Sequence, residues 1–559
     1  MAARRVYAAV AACAMVVYLG ALGNHFAQDD NQIIAFDALV HHVSGLWRAF
    51  ASPYWPADVG GGLYRPLAIA SYALDWSLSG GATWWFHVVN LAWHAGASVA
   101  VASFARRWSG DRAALAAGLL FAVHPVHVEA VANVVGRAEL MAALFAILSV
   151  YAALARDQLA WSAVALAAGL LSKENAVIVP GLVAGGWILG FARPSRRRLA
   201  AYAATWVALG TLYLGMRWNA SHEVTVGGAI APVFFGASHT AIRLTATAAF
   251  ADDTRLLLFP LRLRVDYSPA ERTLVTTPLD PRFALGLLCF AAWAALLWLA
   301  WRRGRRIEAF GLGWLGIAYF PVSNLVVPVG VLIAERTLYM PSIGLALAVG
   351  AWLKDLPIRR FATIVGLLVT MGGVRTAFRV RVWQDSRTVL ESELEDSPRS
   401  FIGPAHMAVL YLTGHQPAKA LDAFRTATVP RGTGPWRTRF SIASSSCAVP
   451  AISTTGTRPR SPEPAAIPPL LIPFRRGSGE RPDDKRSRGG THPRLSGGCR
   501  LIVRPCHTLA SPAMKRRAPF WGSFATVAVG PMDCKRPEWD ACSAVLFGAP
   551  RRHLSNCGY

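Results

Sequence analysis

Apolar residues in this chain come in long runs rather than in alternation, and the polar residues sit in clusters between them. Runs of about 20 apolar residues span a bilayer as helices, because only a helix satisfies every backbone group without water. The candidate spans are 6–23, 84–105, 112–124, 138–155, 159–171, 175–192, 199–216, 283–301, 307–328, 338–353 and 361–377. The pattern predicts an all-α, polytopic helical membrane protein with about eleven transmembrane helices. The first span follows Arg4 and Arg5 and lacks a clear small-residue cleavage site, so it reads as a retained signal anchor.

The polar clusters fix the orientation. Arg4/Arg5, Arg106/Arg107/Arg112, Arg156, "RPSRRR" at 193–198, "RRGRR" at 302–306 and Lys354/Arg359/Arg360 share one side if the spans alternate. By the positive-inside rule that side is cytoplasmic. The opposite side receives "FAQDDNQIIAF" at 26–36, "HPVHVE" at 124–129, "SKEN" at 172–175, "AERTLYMPS" at 334–342 and the chain after Arg379. Residues 229–281 must begin and end on that same side, as surface or re-entrant helices.

The organisation follows from these runs. Residues 1–379 form the membrane domain, with 24–83 a long Trp- and Tyr-rich loop carrying interfacial helices. Residues 380–428 show helical spacing of small and apolar side chains, among them Ala408, Tyr411, Ala420 and Phe424, with a turn at Gly414. Two short helices of this kind fit one partial tetratricopeptide repeat. From 429 to 559 the periodicity disappears, and 16 of the 35 prolines lie beyond Arg431. That composition predicts a disordered basic tail, and the abrupt change points to a lost reading frame.

Composition and charge sharpen the class. Hydrophobic residues make up 53% and charged residues 16%. The net charge of +25 suggests nucleic acid until it is mapped. The last 129 residues hold 21 Lys and Arg against 7 Asp and Glu, more than half of the total, and much of the rest is in short loops. No nucleic-acid partner is expected. Six of eight cysteines lie in the tail and none forms a C-x-x-C pair, so neither a zinc site nor a disulfide framework is supported.

Candidate chemistry gathers where chain leaves membrane. Asp29 and Asp30 are adjacent carboxylates directly after the first span; they read either as acid/base groups with separated titrations or as a helix N-cap and first-turn acid. Arg65 and Arg137 lie on the same predicted face, as phosphate contacts or as snorkelling side chains. Lys173 with Glu174, and Glu335 with Arg336, follow apolar helices, and ionisable groups at such depth pair or act. His124, His127 and Glu129 are close in sequence, but Pro125 interrupts them and no fourth ligand is evident, so capped helix ends are expected and no metal. Asp252 and Asp253 form a rival acidic pair, with Arg255 one turn away to neutralise it.

The ordered segments "QDD" at 28–30, "YRPL" at 64–67, "HPVHVEAVANVVGRAEL" at 124–140, "LLSKEN" at 170–175, "LLLFPLRLRVDYS" at 256–268 and "FPVSNLVVPVGVLIAERTLYMPSIG" at 320–344 resemble a family, over roughly residues 23–427. It is that of the transmembrane and tetratricopeptide repeat-containing O-mannosyltransferases and their bacterial relatives, glycosyltransferases of the GT-C type. The resemblance implies an inverting glycosyltransferase that takes a sugar, mannose foremost, from a polyprenyl-phosphate donor on the non-cytoplasmic face. The acceptor would be a protein hydroxyl or a surface glycan. In that frame Asp30 is expected as base with Asp29 beside it. Arg65, Arg137, Lys173, Glu335 and Arg336 are expected around the donor phosphate and substrate, with no metal and no cofactor. A bacterial inner membrane, with the site on its outer face, is the expected location. The chain departs from the family after Ala427, where more repeats would follow. A transporter or scaffold is the alternative class, but transporters place their charges near the bilayer midplane, whereas here they cluster at one face.

Overall fold

A computed structural model describes residues 3–56, 62–222, 231–267 and 271–427. The expected tail at 429–559 lies outside them. Among the described residues every regular element is helical.

Helices form at all eleven predicted spans. The longer helices are α1 (Ala3–Val16), α2 (Pro66–Ser79), α3 (Thr83–Ala122), α4 (Arg137–Arg156), α5 (Leu159–Ser172), α6 (Val179–Ile188) and α7 (Arg196–Ser221), then α8 (His239–Leu258), α9 (Pro281–Arg302), α10 (Arg306–Tyr319), α11 (Tyr339–Leu353) and α12 (Ile358–Val380), of which α2 and α8 lie outside those spans. Two predicted spans, 84–105 and 112–124, fall within α3. Gly110, at φ 80°, breaks that helix into two segments that diverge at the basic turn. A residue with a side chain adopts that conformation only at a cost, which is why glycine stands there.

Five helices among the described residues are long and apolar enough to cross a membrane unaided: Thr83–Ala122, Val134–Arg156, Arg196–Ser221, Pro281–Arg302 and Ile358–Trp383. The others are shorter, and several gain length from 3-10 turns, as Glu174–Ile178 does for α6. The outer helices expose their apolar residues. Leu285, Leu288, Leu296 and Trp298 of α9, and Leu367, Met371 and Val374 of α12, face outward. Such a surface is stable only in lipid. The protein is an all-α, polytopic helical membrane protein.

The centre of the bundle is held by α1, α3, α4, α10 and α11. Gly311 of α10 and Gly344 of α11 let two backbones meet. A Cβ on Gly311 would lie 2.4 Å from the Gly344 carbonyl oxygen, and one on Gly344 would lie 2.2 Å from that of Gly311. Small residues at a crossing are how helices associate in lipid, where no hydrophobic force separates chain from solvent. Trp314 donates its indole N–H to the Met340 carbonyl at 3.0 Å beside this crossing.

One predicted span ends early. The run 307–328 is apolar, but helix α10 stops at Tyr319 and a 3-10 turn covers Phe320–Val322. Asn324 then sits at φ 59° and closes a loop, accepting from Val329 N at 2.7 Å and donating to the Val331 carbonyl at 3.0 Å. Pro321 and Pro328 make a helical continuation costly.

Helix α8, within the segment expected to start and finish on one side, packs against α9 and the end of α10. Thr247 lies over Gly286 in the first turns of α9, Phe250 meets Phe290 and Tyr319, and the Leu257 carbonyl accepts from His124. After α12 come α13 (Ser386–Asp396), α14 (Ile402–Thr413) and α15 (Pro417–Thr426). The last two form a hairpin with Gly414 at its turn, where the sequence pattern places it.

Candidate active site

The loops expected on the non-basic side do converge, and side chains stitch them together. Asp30 is fully buried. Its Oδ2 accepts from the backbone N–H of Ala27 at 3.1 Å and of Val134 at 3.2 Å, and its Oδ1 from that of Val135 at 2.8 Å. It ties the loop after α1 to the turn before α4. Burial lifts its titration to about 7, against the pull of those three donors.

Asp29 points the other way and is accessible. Gln28, in the left-handed region at φ 51°, turns the backbone between the span and this doublet, and its N–H donates to Ser386 Oγ at 2.9 Å. Partial enclosure raises the Asp29 carboxyl above the usual range. Arg336, His406 and Arg65 act against that rise, and Glu129 adds to it. The two carboxylates thus differ in their contacts: Asp30 is engaged by backbone donors and Asp29 is exposed among Arg336, His406, Arg65 and Glu129, while burial raises the titration of both.

Two arginines that act on Asp29 are each held by a glutamate. Arg336 pairs through Nη1 with Glu129 Oε1, and its own backbone N–H donates to Glu129 Oε2 at 2.8 Å. Its side chain is 37% exposed while that of Glu129 is 4% exposed, so the buried acid aims the open guanidinium. Arg65 forms a two-pronged pair with Glu174, Nη2 to Oε1 at 2.6 Å and Nε to Oε2 at 3.0 Å, and lies 4.8 Å from the centre of the Tyr54 ring. Both exceed a simple point charge in geometric definition.

The other expected residues have different surroundings. Arg137 is fully buried and pairs with Asp75 at 2.5 Å. It also donates to Asn90 Oδ1 at 2.7 Å, Ser71 Oγ at 3.2 Å and the Phe86 carbonyl at 3.1 Å, with Tyr72 beneath it. All three of its nitrogens are engaged, so its geometry is that of a packing centre between α2, α3 and α4. Lys173 is buried and pairs with Glu139. Glu335 is buried too, its Oε1 accepting from Arg264 N at 2.6 Å and from Tyr267 Oη at 2.9 Å. Burial pushes its titration up to about 7, with Arg379 pulling the other way. Glu335 and Arg336 do point apart, as their adjacency implied.

The rival doublet is engaged by Arg272 and Tyr319 rather than through an ion pair to Arg255. Arg272 forks onto Asp252 at 2.7 and 2.9 Å, and Tyr319 donates to Asp253 at 2.7 Å. Arg255 instead donates to the Arg262 carbonyl. His124 caps its own turn, accepting from Val126 N at 3.3 Å, and His127 meets Ser342 Oγ at 2.7 Å. Glu129, grouped with those histidines by sequence, belongs to Arg336. Glu129 and Glu174 are the residues that sequence reasoning undervalued. Their only signal was position, an acid just beyond an apolar run.

A helical membrane bundle thus carries an exposed carboxylate and two acid-anchored arginines in the loops at one end. The chain is similar to protein O-mannosyl-transferases: one from Caenorhabditis elegans (27% identity over 69% of this chain and 56% of that one), TMTC4 of Homo sapiens (28%, 70% and 61%) and TMTC3 of Mus musculus (28%, 69% and 46%). The resemblance read from the six segments is thus borne out. The chain spans about half the length of the curated relatives it matches. A solved structure of ArnT from Cupriavidus metallidurans bound to undecaprenyl phosphate overlaps 76% of each chain at 17% identity and a TM-score of 0.40. No family model matches the chain.

Proposed function

We propose that this chain is an inverting glycosyltransferase that moves a sugar, mannose, from a polyprenyl-phosphate donor to a hydroxyl of a protein. The work takes place on the membrane face opposite the basic loops, which is the outer face of a bacterial inner membrane. The observation that carries the reading is the open Asp29 carboxylate beside the Arg336–Glu129 and Arg65–Glu174 pairs. The relatives' shared description as protein O-mannosyl-transferases supports it.

In this reading Asp29, rather than the backbone-bound Asp30, takes the proton of the acceptor hydroxyl as its oxygen attacks the anomeric carbon. The bond from that carbon to the donor's phosphate oxygen breaks, and the lipid phosphate leaves with the electron pair. Arg336 and Arg65 stabilise the charge that develops on it. Glu129 and Glu174 keep those guanidiniums oriented, so little reorganisation accompanies the reaction. Lys173 and Arg137 act through structure, and the chemistry asks for no metal or cofactor.

The test is transfer of labelled mannose from a polyprenyl-phosphate donor to an acceptor peptide by membranes carrying wild type or Asp29→Asn. Loss of a general base slows such reactions by about 10²–10⁴-fold. Unchanged transfer by Asp29→Asn, at equal protein level, would remove the proposed base.

A further inference from the structure

Beyond Glu335, on the side away from Arg336, lies a hollow of about 400 Å³. It is walled by the outer end of α12, the 261–264 segment and α13, and four arginines line it: Arg262, Arg264, Arg375 and Arg379. None of them belongs to the candidate active site.

Four carboxylates, Glu271, Glu335, Glu395 and Asp396, stand near these four arginines, yet not every guanidinium donor is used. Arg264 is matched by Glu271 at 2.7 Å. Arg375 has a backbone partner, the Leu261 carbonyl at 3.1 Å. Arg379 is only 3% exposed, and although Nη1 reaches Asp396 at 3.3 Å, its Nε and Nη2 make no hydrogen bond. Glu335 is 3.9 Å from Nη2, too far for one. Two carboxylates, Glu395 and Asp396, line the opposite wall, and Asp396 accepts from Ser392 at 2.9 Å as well as from Arg379, keeping its charge. Arg375 and Arg379 are four residues apart on one helix face, so their like charges repel unless an anion lies between them. A buried guanidinium with two unused donors is costly for the same reason.

Two exposed apolar side chains, Leu261 and Phe378, also line the hollow, and Leu258 and Phe259 are exposed just before it in the chain. Guanidinium donors at the depth of a helix end, beneath exposed apolar side chains, suit a phosphate carried on a hydrocarbon chain.

We propose that this hollow is a phosphate-binding site, separate from the donor site, whose ligand is the phosphate monoester headgroup of a membrane lipid. The Arg379 Nε and Nη2 donors, Arg375 and Arg262 hold it. The site is independent of the sugar-transfer reading and is tested without it. Full-length protein purified in detergent is titrated with dioleoyl phosphatidic acid, dioleoyl phosphatidylcholine or inorganic phosphate, and bound species are counted by native mass spectrometry. The expected result is retention of phosphatidic acid over phosphatidylcholine. Apparent affinity should fall about tenfold or more in Arg262→Gln/Arg375→Gln, two partly exposed positions whose loss leaves Arg379 and the fold in place. Inorganic phosphate binding as tightly as the lipid, and equally sensitive to the double variant, would keep the phosphate site and overturn its lipid source. Equal retention of phosphatidylcholine, or no change in a double variant that melts like wild type, would overturn the site itself.

Discussion

Asp30 is predicted to serve stability where its neighbour serves chemistry, and the contrast can be worked out from its contacts. Asp30→Ala removes the acceptor for three buried backbone donors, those of Ala27, Val134 and Val135. Leaving one buried donor without a partner costs about 1–3 kcal/mol, and the three share one carboxylate, so about 3–5 kcal/mol is expected once the loop relaxes. Asp30→Asn keeps an oxygen for two of the donors and turns an NH2 toward the third, so its cost is nearer about 1–2 kcal/mol. A pH dependence comes with it. The folded carboxyl titrates near 7, above its ordinary value. Folding therefore takes up a proton in that window; the associated stability is full below the ordinary carboxylate range and is lost as pH rises to about 7. Wild type should melt at progressively lower temperature between about pH 4 and about pH 7 by this contribution, on the order of a few kcal/mol at most, and Asp30→Asn should lack that slope. Intrinsic tryptophan fluorescence during heating, in detergent at several pH values, reads both effects. The reasoning is refuted if Asp30→Ala melts like wild type, or if Asp30→Asn keeps the full pH slope.

Two further outcomes follow from the buried pairs. Glu129→Gln should leave melting nearly unchanged yet weaken donor use by about tenfold, seen as a raised KM for the polyprenyl-phosphate sugar, because Arg336 loses the acid that aims it. Arg137→Gln should destabilise the protein by about 3–5 kcal/mol, since Asp75 is then left charged in a closed space. The protein that does fold should keep its donor KM, and a selective rise in that KM would return Arg137 to the phosphate site.

Much of the architecture was legible because lipid imposes a coarse code: an apolar run must be helical, and the arginine-rich turns must share a side. The code fails where a run is apolar for another reason. Residues 320–328 look like more helix, but two prolines and a left-handed Asn324 make them a folded loop. The site was legible as a neighbourhood and not as an assignment. Asp29 and Asp30 are alike in sequence, and what separates them is contact with Val134 and Val135, more than a hundred positions away. The glutamates that anchor Arg336 and Arg65 are likewise 207 and 109 positions distant from their partners. Local spacing carries no record of such pairings, though an acid placed just past a span was the trace they left.

The contact between Gly311 and Gly344 has a mechanical meaning for the rim above it. Residues 320–338 form a strap whose two ends are clamped by helices already touching main chain to main chain. Arg336, near the second clamp, can swing its side chain but cannot be carried away by a hinge without prising the clamp open. In the proposed reaction, donor capture at that arginine is therefore a matter of what enters a standing frame.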